Sequence, residues 1–174
     1  MRAVVIYESM YGNTHVVADH IAQGLASRYD VTVVSVHEAT SEVLDGVDLL
    51  VVGGPTHVHA MSSSRSRLAA VEAAGKTESN LVLDPDAEGE GLRDWFDDVA
   101  TLPHASAAAF DTRLGSVAPV MSGRASKGIA RRLHRHGLDL VTAPESFLVD
   151  ADNHLLEGEA DRATEWATSL ATAK

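Results

Sequence analysis

Along this chain, short unbroken apolar runs alternate with stretches of helical period. Ala3 to Ile6 is apolar at every position. After a polar turn, Val17, Ile21 and Leu25 recur with Ala18 and Ala22 at helical spacing, while Asp19, His20, Gln23 and Ser27 fall on the opposite face. Val31, Val33, Val34 and Val36 make a second strand-like run, Ser41 to Leu44 a short helix, and Leu49 to Val52 a third strand. Strands apolar at every position are buried on both faces, as in a parallel sheet flanked by helices. The order strand–helix–strand therefore predicts a doubly wound α/β domain.

The second half continues the pattern with more polar interruption. Residues 62–75 read as a helix with Leu68, Ala69 and Val71 inward, and residues 80–91 as a solvated acidic loop. Leu92, Trp95, Phe96 and Val99 mark an amphipathic helix, and Ala107 to Phe110 a small-residue strand. Residues 116–122 read as a loop containing Pro119. Residues 124–136 form a basic helix stopped by Gly137. Leu138 to Val141 and Phe147 to Val149 predict one last strand interrupted at Pro144. Residues 157–171 predict a closing helix with Ala160, Ala163, Trp166, Ala167 and Leu170 inward. The expectation is one domain over residues 1–174, a five-stranded parallel sheet with helices on both faces.

Composition narrows the function. The 174 residues include no cysteine, which excludes disulfides, thiolate catalysis and cysteine-held metal clusters. A net charge of −11 argues against nucleic acid and anionic membrane, both polyanions, and favours solubility or a partner with a basic surface. Met1-Arg2 leads into the first apolar run without a signal-peptide core, so the expected location is the cytoplasm.

Candidate chemistry concentrates after the first strand. Ser9-Met10-Tyr11-Gly12-Asn13-Thr14 offers three hydroxyls, an amide and a glycine at the start of a helix, where free N–H groups and the helix dipole favour an anion. With no lysine or arginine, the loop suits a monophosphate ester better than a triphosphate with its magnesium. The same residues also suit a plain helix cap by Asn13 or Ser9. The patterns G-x-x-x-x-G-K-[ST] and G-x-G-x-x-G are absent. A phosphoacceptor receiver domain is excluded too, because Gly53-Gly54-Pro55 stands where its aspartate would end the third strand. The pairs His57/His59 and His134/His136 lack a third ligand, so no metal is expected. Arg124, Lys127, Arg131, Arg132 and Arg135 read first as a solvated face, and second as a docking site for an acidic partner or a nicotinamide phosphate.

Glu8 to Thr14 resembles the FMN-phosphate loop of flavodoxins, in the variant of flavodoxin-fold quinone reductases. Val51 to Thr56 looks like the third strand and second flavin loop of that family, and Ala109 to Arg113 like its fourth strand and flavin-facing edge. Pro144 to Phe147 and Leu156 to Glu159 are similar to the closing strand and last helix of actinobacterial-type flavodoxin domains. The resemblance implies FMN at the carboxyl ends of the strands where their order reverses, a location already known for flavodoxins. It implies a phosphate held by Ser9, Met10, Tyr11, Gly12, Asn13 and Thr14. One side of the ring would meet Pro55, Thr56, His57, Val58 and His59, and the pyrimidine edge Asp111, Thr112 and Arg113. The second loop departs from the family: residues 56–64 hold no Phe, Tyr or Trp, and residues 56–64 no glycine. Weaker stacking and weak stabilisation of one-electron-reduced flavin are therefore expected.

The implied function is an FMN-binding flavodoxin-like electron-transfer protein, monomeric or weakly dimeric, with a redox protein partner presenting a basic docking surface. Two alternatives stand beside it. One is an FMN-dependent NAD(P)H/quinone or protoporphyrinogen-type oxidoreductase, the other a flavin-free interaction domain of the same fold.

Overall fold

A computed structural model of the chain describes residues 1–57, 60–117 and 123–172. Its strands are β1 (Arg2–Tyr7), β2 (Asp30–Ser35), β3 (Leu49–His57), β4 (Ala60–Met61), β5 (Ser106–Leu114), β6 (Asp139–Leu140) and β7 (Glu145–Val149). Its α-helices are α1 (Asn13–Leu25), α2 (Ser41–Leu44), α3 (Ser64–Ala74), α4 (Leu92–Asp98), α5 (Ala125–Arg135) and α6 (Glu159–Thr172). The expected loop 116–122 lies largely outside the described residues.

Parallel pairing runs β2-β1-β3-β5, and a fifth position is filled in two pieces. The strand β6 pairs with the start of β5 and β7 with its end, on either side of the break expected at Pro144. Beyond the parallel sheet, β4 folds back antiparallel on the end of β3, joining His57 to Ala60 and Thr56 to Met61. Including these short pieces the sheet has seven strands, against the five read from the sequence.

Alternate residues of the central strands feed two cores. Val5, Tyr7, Val51 and Phe110 pack with α1 and α6 on one face. Ile6, Val52 and Ala109 pack with α4 and α5 on the other. Both faces are covered, as strands without polar alternation require.

The inward face expected for α3 is corrected at Leu68 and Ala69, while Val71 packs partly buried against the Met10 cluster. Leu68 is 65% exposed, and Arg67 and Ala70 are buried instead. The apolar period assumed a sheet beneath the helix, whereas α3 lies over the loop after β1, with Ala70 packed on Met10 and Ala87. The buried Arg67 guanidinium is satisfied by Gly89 O at 3.0 Å, Ser62 Oγ at 3.1 Å and the Asp94 carboxylate at 2.5 Å. A buried charge is tolerable only with such partners.

Candidate functional site

Between β1 and β3 the strand order reverses, and a cavity of about 450 Å³ opens at their carboxyl ends. That volume falls within the ~300–1,000 Å³ of small-molecule sites. The first loop forms its floor. Gly12 takes φ +89°, a left-handed conformation that a side chain would strain, and no side chain caps α1. The first N–H groups of the 13-residue helix α1 are thus left for a ligand rather than spent on a cap.

The hydroxyls around this helix start keep protons to donate. Ser9 Oγ accepts from Gly12 N at 3.0 Å, so its own O–H remains available. Thr14 Oγ1 and Thr112 Oγ1 share one hydrogen bond of 2.8 Å, and the pair holds two protons, of which that bond uses one. Ser9, Thr14 and Thr112 are nearly fully buried and line the cavity. A phosphate monoester fits this set of neutral donors at an uncapped helix start, with no lysine or arginine in the loop itself. Among the described residues no cluster of three or more metal-ligating side chains exists.

The other expected residues are placed as follows. Met10 is buried against α3, and Tyr11 donates its hydroxyl to Ala70 O at 2.9 Å, fixing the ring between loop and helix; burial pushes its phenol above 10.0. Asn13 Nδ2 donates to Asn153 O at 2.8 Å, tying α1 to the turn after β7. Pro55, Thr56 and His57 line the cavity, and so does Arg113, whose Nη1 donates to Leu114 O and Val117 O. Burial holds the His57 imidazole below 6.5, with Glu8 opposing and Arg67 assisting. Val58 and His59 lie outside the described residues.

Asp111 is the exception. Fully buried, it faces away from the cavity lining, and its Oδ2 accepts from Ser126 N at 2.7 Å. Thr56 Oγ1 accepts from the adjacent Ala125 N at 2.9 Å. Side chains at the ends of β3 and β5 therefore take the first two N–H groups of α5, a favourable place for a carboxylate. Thr112 points to the face opposite Asp111 and lines the cavity, and Arg113, on the same face as Asp111 but two residues nearer the carboxyl end of β5, lines it too. Burial raises the Asp111 pKa, and the hydrogen bond from Ser126 N opposes the rise.

Two features were missed. Asp84, read as part of a solvated loop, has a side chain only 2% exposed. Its Oδ2 meets His15 Nδ1 at 3.2 Å, and His15 Nε2 meets Tyr7 Oη at 3.1 Å. With Asp84 accepting from Nδ1–H, Nε2 is left to accept the tyrosine proton. Burial first, and Asp84 next, push the Tyr7 phenol well above its ordinary range and keep it a donor. The chain Tyr7–His15–Asp84 laces the acidic loop to the first loop, and Asp84 N donates to Met10 O at 2.9 Å. The second is the turn of residues 150–153, which lines the cavity with Asp150 and Asn153. The run Asp150-Ala151-Asp152-Asn153, rich in turn formers, carried that signal.

A family model described as a flavodoxin domain matches residues 4–71. No curated protein gives a significant match. Among solved structures, a flavodoxin from the domain Archaea superposes with TM-score 0.64 at 20% identity, over 98% of this chain and 96% of that one. Oxidised Flavodoxin 2 from Bacillus cereus gives TM-score 0.64 at 20% identity, over 98% of each chain. Rubredoxin oxygen:oxidoreductase from Desulfovibrio gigas gives TM-score 0.59 at 15% identity, over 99% of this chain but 35% of that larger one.

Proposed function

Taking the chain as a member of the flavodoxin family, we propose that it binds FMN in the cavity between β1 and β3 and serves as a carrier of electrons. The observation that carries this reading is the uncapped start of α1 at a left-handed Gly12, ringed by the buried hydroxyls of Ser9, Thr14 and Thr112. That arrangement costs the fold a helix cap, worth roughly 0.5–2 kcal/mol, and an anion restores it.

When bound, the flavin supplies the redox chemistry. The chain's own residues bind and orient it. Ser9, Thr14 and the first N–H groups of α1 hold the phosphate, and Thr112 positions Thr14. Pro55, Thr56 and His57 wall the cavity from the β3 side, Arg113 from β5, and Tyr11 and Ala70 from the first loop and α3. His57, held neutral by burial, adds no positive charge near neutral pH. The net charge of −11 supports a redox protein with a basic docking surface as the partner.

The test has two parts. Protein equilibrated with FMN and freed of excess is expected to retain a flavin absorbance spectrum. Given a flavoprotein reductase and a haem-protein acceptor, it is expected to pass electrons between them while NAD(P)H alone leaves it oxidised. Rapid reduction by NAD(P)H without a reductase would favour the stand-alone oxidoreductase, and loss of all flavin would favour the interaction domain.

A further inference from the structure

We infer that the chain carries a second anion site, a pocket of about 270 Å³ between α4 and α5 that takes a phosphate-bearing small molecule through five guanidinium groups. Arg93 comes from α4 and Arg124, Arg131, Arg132 and Arg135 from α5 or the residue before it. These five are drawn from only fourteen lysines and arginines in a chain of net charge −11. Among the described residues, Arg132 alone of the five has an ion-pair partner, the exposed Asp97.

The spacing 124, 128, 131, 135 runs down one helical stripe. Gly128 interrupts it at the point where the β4 hairpin arrives. A Cβ there would stand 3.1 Å from Met61 Sδ and 3.2 Å from its Cγ, so the glycine admits the hairpin as a wall of the pocket. Arg93 is fixed on that wall, donating Nε to Ser62 O at 2.6 Å and Nη2 to Met61 O at 2.9 Å. A guanidinium already held by carbonyls loses little freedom on meeting an anion.

Ordinary helix electrostatics accounts for only part of this cluster. Arg132 and Arg135 lie in the last turn of α5, where cations complement the dipole. Arg124 stands at the opposite end, at the N-cap of the same helix, and Arg93 in the first turn of α4, where positive charge is disfavoured. The Arg124 Nε is moreover buried with no hydrogen-bond partner. Two cations at the wrong helix ends, one with an orphaned donor, are what an anion between them would offset. The volume lies just under the ~300 Å³ at which drug-sized sites begin, so the site fits a phosphate or diphosphate group and leaves any organic remainder outside. Arg forks match such oxygens bidentately. A flat acidic protein surface would not fill a concavity of this size.

This site does not rest on the flavin reading, and its test keeps the two apart. Pyrophosphate is titrated calorimetrically, in about 0.1 M KCl, into the full chain equilibrated with FMN and freed of excess, so that the first loop is not the acceptor and no free phosphate ester competes for the arginines. Saturable one-to-one binding is expected, with a rise in Tm. Arg131→Ala/Arg135→Ala, both exposed and outside the cores, is expected to weaken it at least tenfold. Arg65→Ala/Lys76→Ala, which removes equal charge elsewhere on the surface, is expected to retain it. ADP binding more tightly than pyrophosphate would identify a nucleotide as the ligand class, and equal binding a free anion; either supports the site. No saturable binding of pyrophosphate, equal loss in the two variants, or binding of an acidic polypeptide alone would overturn it.

Discussion

Thr14 Oγ1 lies 2.8 Å from Thr112 Oγ1, a buried hydrogen bond between residues 98 apart in sequence. It locks the first turn of α1 to the carboxyl end of β5, across the cavity floor. The pair belongs both to the fold and to the site, and the two roles separate by mutation. Thr14→Val leaves Thr112 buried without its partner, and an unsatisfied buried hydroxyl costs about 1–3 kcal/mol. The double variant Thr14→Val/Thr112→Val removes both polar groups in nearly unchanged volume and is expected to recover most of that stability. FMN affinity is expected to stay low in both variants. Denaturant melts alongside flavin titrations check this, and full recovery of FMN affinity in the double variant would limit the pair to a structural role.

The Tyr7–His15–Asp84 chain gives a second expectation. Asp84→Ala removes the buried acceptor that holds His15 and the 80–91 loop against the first loop. The expected loss is about 1–3 kcal/mol of stability, concentrated in local opening of that loop. Limited proteolysis with a glutamate-specific protease is expected to cut at Glu88 or Glu90 several times faster in the variant while β1 to β3 stay intact. Unchanged cleavage would mean that the loop is held without the Asp84 carboxylate, by contacts such as Arg67 to Gly89 O and Asp84 N to Met10 O.

His57 sets a pH dependence with a definite sign. Its folded-state pKa lies below the ordinary 6.5, chiefly because burial disfavours the imidazolium. The unfolded chain therefore takes up this proton more readily than the folded one. The stability concerned is full above the unfolded value of 6.5 and is lost as pH falls below it. His57→Gln, which cannot titrate, is expected to flatten the fall in Tm between about pH 7.5 and about pH 5.5. An identical slope in both proteins would place the titrating group elsewhere.

Much of this was legible in the sequence, and the gaps have physical causes. Val4, Val5, Val51 and Val52 announce themselves because a strand buried on both faces tolerates no polar alternation. The first loop was legible because Gly12 and its flanking hydroxyls are contiguous. Arg67 and Asp84 were not, since a buried charge is revealed by its partners, and Gly89, Asp94 and His15 are remote in sequence. Asp111 misled for a related reason: its neighbours Thr112 and Arg113 line the cavity, while its own carboxylate is taken by the start of α5, remote in sequence.

The central claim is that the cavity grips FMN by its phosphate, and FMN and riboflavin differ only there. Titration of each flavin into the protein, followed by quenching of flavin fluorescence, tests it most directly. If one or two charge-assisted contacts at about 1.5–3 kcal/mol apiece go to the phosphate, FMN is expected to bind more than tenfold tighter than riboflavin. Thr14→Val is expected to narrow that gap by weakening FMN alone. Equal affinity for the two flavins, or a gap untouched by Thr14→Val, would contradict the assignment of the first loop as a phosphate site.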